Sequence, residues 1–189
     1  MSDYWSSGHN EKAQDLFYMS PGRKIYLDPT YGSDGNAGTK NSPFKTPTCA
    51  YAQVRDGRND TIFIVPGASP MVVTASMEIG KDNVNVVGLA PNSRHSRTAG
   101  TDGGLVAFRC ATTSIDNIFN ITGNSVRMYT IDTMNSFSHA SNRCDILVAG
   151  RNPYFEGCSF RRGNGALQLA GANSGTGVVF GGITAGAGN

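Results

Sequence analysis

The stretch "NIFNITGNSVRMYTID", residues 117–132, is the most informative part of the chain, because its pattern returns further along. Two short runs of alternating apolar and polar residues flank a glycine and a polar corner. The order recurs in "CDILVAGRNPYFEGCSF" from Cys144 and "GALQLAGANSGTGVVFGG" from Gly165, and "NVNVVGLAPN" from Asn83 carries its first half. The glycines Gly123, Gly150 and Gly171 fall 27 and 21 residues apart. A unit recurring at this length indicates a repeat architecture.

The alternating runs are too short for the hairpins of a sandwich, but they suit strands that pair with their equivalents one repeat later. The sequence therefore predicts an all-β, single-domain parallel β-helix, with coils stacked about 4.8 Å apart. A jelly roll is the alternative fold. The predicted inward side chains are Ile118, Ile121, Val126, Met128, Ile131, Ile146, Val148, Phe155, Cys158, Leu167, Leu169, Val178 and Phe180. The predicted stacking asparagines at the corners are Asn117, Asn120, Asn124, Asn142, Asn152, Asn164 and Asn173.

Composition agrees with this prediction. The 189 residues fit one domain, and 24 glycines with only 16% charged residues favour turns and strands over helices. A net charge of +2 is too small to indicate a nucleic-acid or membrane partner. No apolar segment suits a signal peptide or an anchor, so we expect intracellular synthesis. The four cysteines, Cys49, Cys110, Cys144 and Cys158, lack CxxC spacing and are expected to be buried free thiols.

Three regions are expected along the chain. Residues 1–21 form a polar N-terminal arm with aromatic side chains, and residues 22–60 hold an entry strand, a loop and a short capping helix. Residues 61–189 form the coils, with a Gly-rich C-terminal end. In the loop "YGSDGNAGTKNSPFKT", residues 31–46, the glycines Gly32, Gly35 and Gly38 permit positive φ, and Asp34 and Asn36 can close turns.

The order of "IYLDPTYGSDGNAGTKNSPFKT" from Ile25, a short helix, "DTIFIVPG" from Asp60 and then coils resembles the start of right-handed β-helix proteins of the pectate-lyase-like superfamily. The resemblance extends to about Gly181. It implies a right-handed coil whose first turn is capped by the loop and the helix. Such a cap answers a physical need, since an uncovered end exposes unpaired N–H and C=O groups. The superfamily includes polysaccharide lyases, hydrolases and phage tailspikes, so the resemblance does not choose a function.

No catalytic set is evident in the repeats. The carboxylates Asp116, Asp132, Asp145 and Glu156 are isolated, whereas a glycan hydrolase needs two at close range. Asp132 and Glu156 are the candidates if adjacent coils bring them together; otherwise we expect solvated surface carboxylates. The arginines Arg151, Arg161 and Arg162 could neutralise a uronate, but an outer face or a subunit contact is the expected role. The lone histidines His9, His95 and His139 are expected at the surface.

The entry loop is also a candidate metal site. Asp28, Asp34 and Asn36 offer the oxygen ligands that Ca²⁺ prefers, but their spacing does not follow an EF-hand loop. "GSDG" lacks the residues that follow a phosphate-binding P-loop. We therefore expect neither a metal nor a cofactor.

The uncharged C-terminal coil, beyond Gly163, would leave an exposed patch in a monomer. We therefore predict a homo-oligomer, most simply a trimer, and a non-catalytic role in a bacteriophage virion, as a capsid decoration or attachment protein. The arm would dock on capsid or other virion proteins through Tyr4, Trp5, Phe17 and Tyr18, because aromatic side chains dominate interface energetics. The alternative is a β-helix that binds or degrades polysaccharide, with a host surface glycan as its partner.

Overall fold

The computed structural model describes residues 21–67, 70–89, 106–110, 115, 117–134, 146–161, 167–169, 179–181 and 184–186. Its elements, in chain order, are β1 (Lys24–Leu27), α1 (Pro47–Ala52), β2 (Thr61–Ile64), β3 (Met71–Val73), β4 (Met77–Ile79), β5 (Asn85–Gly88), β6 (Val106–Cys110), β7 (Phe119–Ile121), β8 (Arg127–Tyr129), β9 (Ile131–Met134), β10 (Ile146–Val148), β11 (Tyr154–Glu156), β12 (Ser159–Arg161), β13 (Leu167–Leu169), β14 (Val179–Gly181) and β15 (Thr184–Gly186).

The strands form three sheets that the chain visits in turn. Sheet 1 has the order β1-β2-β5-β8-β11-β14, sheet 2 the order β3-β6-β9-β12-β15, and sheet 3 the order β4-β7-β10-β13. All pairs between the named strands are parallel. The all-β prediction and pairing one repeat later are confirmed, and an antiparallel jelly roll does not fit these strands. The right-handed sense of the coil stays a prediction.

The space enclosed by the sheets is filled by inward side chains of the coils whose side chains are described. Nine of the thirteen predicted inward residues are described, and each is at most 1% exposed: Ile118, Ile121, Val126, Met128, Ile131, Ile146, Val148, Phe155 and Cys158. The remaining four, Leu167, Leu169, Val178 and Phe180, have side chains outside the described part. Phe108 and Phe119 meet edge to face inside the core, with ring centroids 4.8 Å apart. Cys110 and Cys158 are buried free thiols as predicted, Cys49 is half-buried, and Cys144 lies outside the described residues.

The corner between sheets 3 and 1 repeats from coil to coil. The backbone N–H of Asp82 donates to the carboxylate of Asp56 at 2.7 Å, that of Asn124 to Asp82 at 2.7 Å, and that of Arg151 to the Asn124 amide oxygen at 3.0 Å. These partners are 26, 42 and 27 residues apart in sequence. We call this series the corner ladder. Of the predicted corner asparagines, Asn124 belongs to it, and Asn152 lies at the same corner directly after Arg151. Asn117 and Asn120 lie elsewhere, and Asn142, Asn164 and Asn173 are outside the described residues.

Asp82, Asn124 and Arg151, which donate their N–H groups in the corner ladder, are its rungs. The residue after each rung has a left-handed backbone, with φ of 55° at Asn83, 54° at Ser125 and 52° at Asn152. The residues before the last two rungs, Gly123 and Gly150, are crowded by the backbone of the preceding coil. A Cβ added to Gly150 would lie 1.9 Å from the carbonyl oxygen of Gly123, and one added to Gly123 would lie 2.2 Å from that of Lys81. Glycine is therefore required at both positions because successive backbones touch there.

The entry loop covers the free edge of β1, as the resemblance implied. Tyr26 donates its N–H to the carbonyl oxygen of Gly38 and accepts from the N–H of Phe44, both at 2.9 Å. Asp28 N–H donates to the Phe44 carbonyl oxygen at 2.8 Å. Of the three loop glycines, Gly38 has positive φ, at 71°. Gly32 instead allows the backbone at Phe44 to approach closely, since a Cβ at position 32 would lie 2.2 Å from the carbonyl oxygen of Phe44.

Helix α1 closes the core beneath the first coil. Thr46 is its N-cap, accepting from the N–H of Cys49 at 3.3 Å, and Pro47 occupies the first turn, where a missing N–H costs nothing. Ala50 in the helix and Val54 just beyond it are 0% and 3% exposed, and both belong to the main core. The predicted capping helix is therefore present, although it is short and begins at the proline.

Asp60 binds the cap to the first complete coil. Its carboxylate is fully buried and accepts from the N–H of Arg23 at 2.6 Å, the N–H of Arg55 at 2.8 Å and the Arg55 guanidinium at 2.7 and 3.0 Å. Burial alone would raise the pKa of Asp60, but the hydrogen bonds from Arg55 and Arg23 outweigh it and lower that pKa. One carboxylate thus joins the segment before β1 to the segment after α1.

Replacement of Gly150 by alanine should be severely destabilising, because the new Cβ would meet backbone that cannot rotate away. We expect Gly150→Ala to lower the free energy of unfolding by about 3 kcal/mol, measured by urea denaturation. Gly35→Ala is the matched control: the nearest atom to its Cβ would be 3.9 Å away, so a change within about 0.5 kcal/mol is expected. Equal effects of the two variants would contradict the stacked corner.

Asp60→Asn should remove a charge on which the folded state depends. We expect a loss of about 2 kcal/mol at pH 7, a value reduced because the partner Arg55 side chain is 49% exposed. Since the folded pKa lies below the unfolded value of about 3.9, the wild-type advantage is complete above that pH and disappears as the pH falls further.

The measurement is urea denaturation of both proteins at a series of pH values. Asp56→Asn serves as the control, because asparagine keeps the acceptor for the N–H of Asp82 and should change stability little. A difference between wild type and Asp60→Asn that stayed constant down to the lowest pH would show that the carboxylate charge is unimportant.

Candidate functional site

The outer face of sheet 1 carries a group of half-buried polar and aromatic side chains. Side chains alternate across a strand, so with Met128 and Phe155 pointing into the core their neighbours point outward. Arg127 lies opposite Tyr154 on the adjacent strand, and Tyr129 lies opposite Glu156. We call Arg127, Tyr129, Tyr154 and Glu156 the outer patch; all four are half-buried.

Two contacts organise the aromatic side of the outer patch. The rings of Tyr129 and Tyr154 are 5.5 Å apart between centroids and tilted by 43°. The Tyr154 hydroxyl donates to Oε2 of Glu156 at 2.5 Å. This hydrogen bond, with a smaller effect of burial, raises the pKa of Tyr154. Tyr154 is therefore a hydrogen-bond donor to Glu156 at neutral pH.

The guanidinium of Arg127, the basic group of the outer patch, is held by asparagines from earlier coils. Nη1 of Arg127 donates to the amide oxygen of Asn59 at 3.1 Å and to that of Asn85 at 3.3 Å. Asn85 is fully buried, and its Nδ2 donates in turn to Asn59 Oδ1 at 3.1 Å and to the Thr61 hydroxyl at 3.2 Å. Three successive coils thus contribute to holding one guanidinium.

An apolar row on the same face runs up to the outer patch. Tyr26, Phe63 and Val87 point outward yet are no more than 5% exposed, and Tyr129 packs against this cluster. Tyr26 and Phe63 stack with ring centroids 5.5 Å apart, and burial raises the pKa of Tyr26 to about 12. Tyr129 lies at the end of this row, where its aromatic side chain is only half-buried.

A long insertion between strands β5 and β6 lies at the neighbouring corner. Thr130 turns the chain from sheet 1 to sheet 2, with φ of 55°, and is followed directly by Ile131. One coil earlier, residues 89–105 separate Gly88, which accepts from the Thr130 hydroxyl at 3.0 Å, from Val106, the register partner of Ile131. Topology therefore places both ends of this insertion beside the corner that borders the outer patch.

The two carboxylates predicted as a catalytic pair lie on different sheets. Asp132 is fully buried in sheet 2, where its register partners are Ala107 and Ser159. Glu156 lies in sheet 1, opposite Tyr129, on the other side of the corner. The expectation of a solvated surface carboxylate is therefore wrong for Asp132, because its side chain is fully buried.

The loop residues considered as calcium ligands bond to the chain instead. Asp28 Oδ1 accepts from the N–H groups of Thr30 and Tyr31, both at 2.9 Å. Asp34 accepts from Lys45 N–H at 3.0 Å, from Thr46 N–H at 2.8 Å and from the Thr46 hydroxyl at 2.9 Å, while Asn36 donates to the Pro43 carbonyl at 2.8 Å. Among the described residues, no group of three or more His, Cys, Asp and Glu could hold a metal ion.

Several other sequence predictions fall where the structure says little. Arg151 is exposed at the corner ladder, and Arg161 is placed only as a residue of β12. The predicted candidates outside the described residues are Tyr4, Trp5, Phe17, Tyr18, His9, His95, His139, Asp116, Asp145 and Arg162. The arm, its docking role, the trimer and the virion location therefore stay predictions. Within the described segments, no helix is long and apolar enough to cross a membrane.

Sequence reasoning missed Arg127, Tyr129 and Tyr154 as members of a site. The signal was available, since these residues alternate with Met128 and Phe155, which were predicted to point inward. Their partner Asn85 gave no comparable signal, because its contact with Arg127 joins residues 42 positions apart.

Comparison with known proteins gives limited matches. No family model matches the chain, and no curated protein sequence matches it. Among solved structures, a rhamnogalacturonan lyase is similar at 18% identity, over 87% of this chain and 51% of that one, with a TM-score of 0.48. A GH136 lacto-N-biosidase from Eubacterium ramulus is similar at 11% identity, over 92% of this chain and 36% of that one, with a TM-score of 0.44. This chain therefore spans about half the length of the first structure and about a third of the second.

Proposed function

We propose that this protein is a right-handed parallel β-helix that binds polysaccharide at the outer patch. The observation that carries the proposal is the pair of accessible tyrosine rings, Tyr129 and Tyr154, with a carboxylate and a guanidinium on either side. Carbohydrate recognition needs this combination, because a sugar ring has an apolar C–H face and a rim of hydroxyl groups.

The chemistry of each side chain fits such a ligand. A tyrosine ring offers a flat apolar surface against which the C–H face of a sugar can pack, with little loss of side-chain entropy. Glu156 can accept hydrogen bonds from sugar hydroxyls, because an ionised carboxylate accepts at several lone pairs. Arg127 can donate to ring or hydroxyl oxygens.

The support for the patch is rigid. Its four residues lie on neighbouring strands of one sheet, and Met128 and Phe155 beneath them are fully buried. Side chains fixed on strands lose little freedom when a ligand binds, so more of the contact energy remains as affinity.

The placement of the carboxylates favours binding without turnover. Glu156 is the single carboxylate of the outer patch, and its partner in a hydrolytic pair would have to be at close range on the same side of the sugar. Asp132, the residue considered as its catalytic partner, is fully buried in sheet 2.

Tyr129→Ala and Tyr154→Ala should each weaken polysaccharide binding about tenfold, which corresponds to about 1.4 kcal/mol, because each removes one ring from the platform. Affinity would be measured by isothermal titration calorimetry against the polysaccharides that a glycan array identifies as ligands.

Tyr31→Ala is the matched control, since Tyr31 is 83% exposed on the entry loop and lies in another part of the molecule. We expect its affinity to equal that of the wild type. A reducing-end assay on the bound polysaccharide should detect no new ends. Absence of any glycan ligand, or equal losses in all three variants, would overturn the proposal.

A further inference from the structure

The guanidinium of Arg127 has no opposite charge beside it in the described part of the molecule. Its hydrogen bonds go to Asn59 and Asn85, and both acceptors are neutral amide oxygens. The carboxylate of the outer patch, Glu156, accepts from Tyr154 and forms no ion pair with Arg127. By contrast, Arg55 at the cap lies 2.7 Å from the carboxylate of Asp60.

A half-buried cation without a counter-ion has lost part of its hydration without the compensation of an opposite charge. Arginine carries five N–H donors, and the two described hydrogen bonds both use Nη1. Nε and Nη2 are left, and they form the edge of the guanidinium that binds a carboxylate or sulfate through two parallel hydrogen bonds.

The two asparagines determine which edge of the Arg127 guanidinium is available to a ligand. Asn85 is fully buried and fixed by its own hydrogen bonds to Asn59 and Thr61, so the Nη1 side of Arg127 is held against the sheet. Tyr154 lies opposite Arg127 in the register, and Glu156, its hydrogen-bond partner, lies diagonally across from Arg127. An anionic group at Arg127 is therefore separated from the Glu156 carboxylate by the tyrosine.

We propose that Arg127 is the anion subsite of the outer patch, so that the preferred ligand is a glycan with carboxylate or sulfate groups. Asn59 and Asn85 are positioning residues for its guanidinium. This inference rests on the proposed carbohydrate-binding function and adds to it the charge class of the ligand.

The test compares three polymers by isothermal titration calorimetry: neutral dextran, carboxylate-bearing polygalacturonate and dextran sulfate. We expect wild type to bind at least one anionic polymer at least tenfold more tightly than dextran. Arg127→Gln should lose that preference, so that its affinity for each anionic polymer falls to about its own affinity for dextran. Which anionic polymer binds more tightly identifies the carboxylate or the sulfate as the source of the anion.

Arg151→Gln is the control for net charge, since Arg151 is exposed at the corner ladder and its contact there is made by backbone N–H. We expect it to keep the anionic preference. Thermal unfolding of both variants checks folding, and glutamine at position 127 can still donate to the asparagine oxygens. If Arg127→Gln does not fold, Arg127→Lys keeps the charge without the planar edge and should lose most of the preference.

The outcomes separate the two proposals. Equal binding of dextran and both anionic polymers, or an unchanged preference in Arg127→Gln, would overturn the anion subsite and leave carbohydrate binding in place. An equal loss in Arg127→Gln and Arg151→Gln would also overturn it, because only net charge would then matter. Failure of every polymer and every array glycan to bind would overturn the proposed function itself.

Discussion

The register between successive coils is the constraint on which the rest of the structure depends. At the corner ladder, a side-chain oxygen of each coil accepts the backbone N–H of the next, and Gly123 and Gly150 allow the backbones to touch. A shift of one residue would separate these partners and reverse every side chain between core and surface. Fixing this corner therefore fixes both the inward column of Met128 and Phe155 and the outward pair of Tyr129 and Tyr154.

A stack of this kind is stable only if its end is closed, and here two segments, the entry loop and helix α1, close it. The entry loop satisfies the polar edge of β1 by hydrogen bonding, whereas helix α1 covers apolar side chains that have no coil beneath them. Asp60 joins the segment before β1 to the segment after α1, because its carboxylate takes hydrogen bonds from Arg23 and from Arg55. Losing its charge should therefore weaken the attachment of both segments together.

The sequence predicted the inside of the molecule better than its outside. Alternation identifies Met128 and Phe155 as core because a hydrophobic column tolerates few other residues. On the outward side the same alternation does not distinguish Val87, which is fully buried, from Tyr129 on the adjacent strand, which stays accessible. The corner ladder was predictable at Asn124 but not at Arg151, because that rung uses a backbone N–H, which any residue except proline supplies.

The charge of Arg127 is difficult to explain by stability alone. Asn59 Oδ1 already accepts from Asn85 Nδ2, and Arg127 satisfies the buried Asn85 Oδ1. A neutral donor such as glutamine at this position could satisfy the same oxygen without removing a charge from water. The cost of the half-buried cation is instead understandable if an anionic ligand completes its hydrogen bonds. Because the asparagines come from two earlier coils, the same register that builds the core also determines the direction in which that charge points.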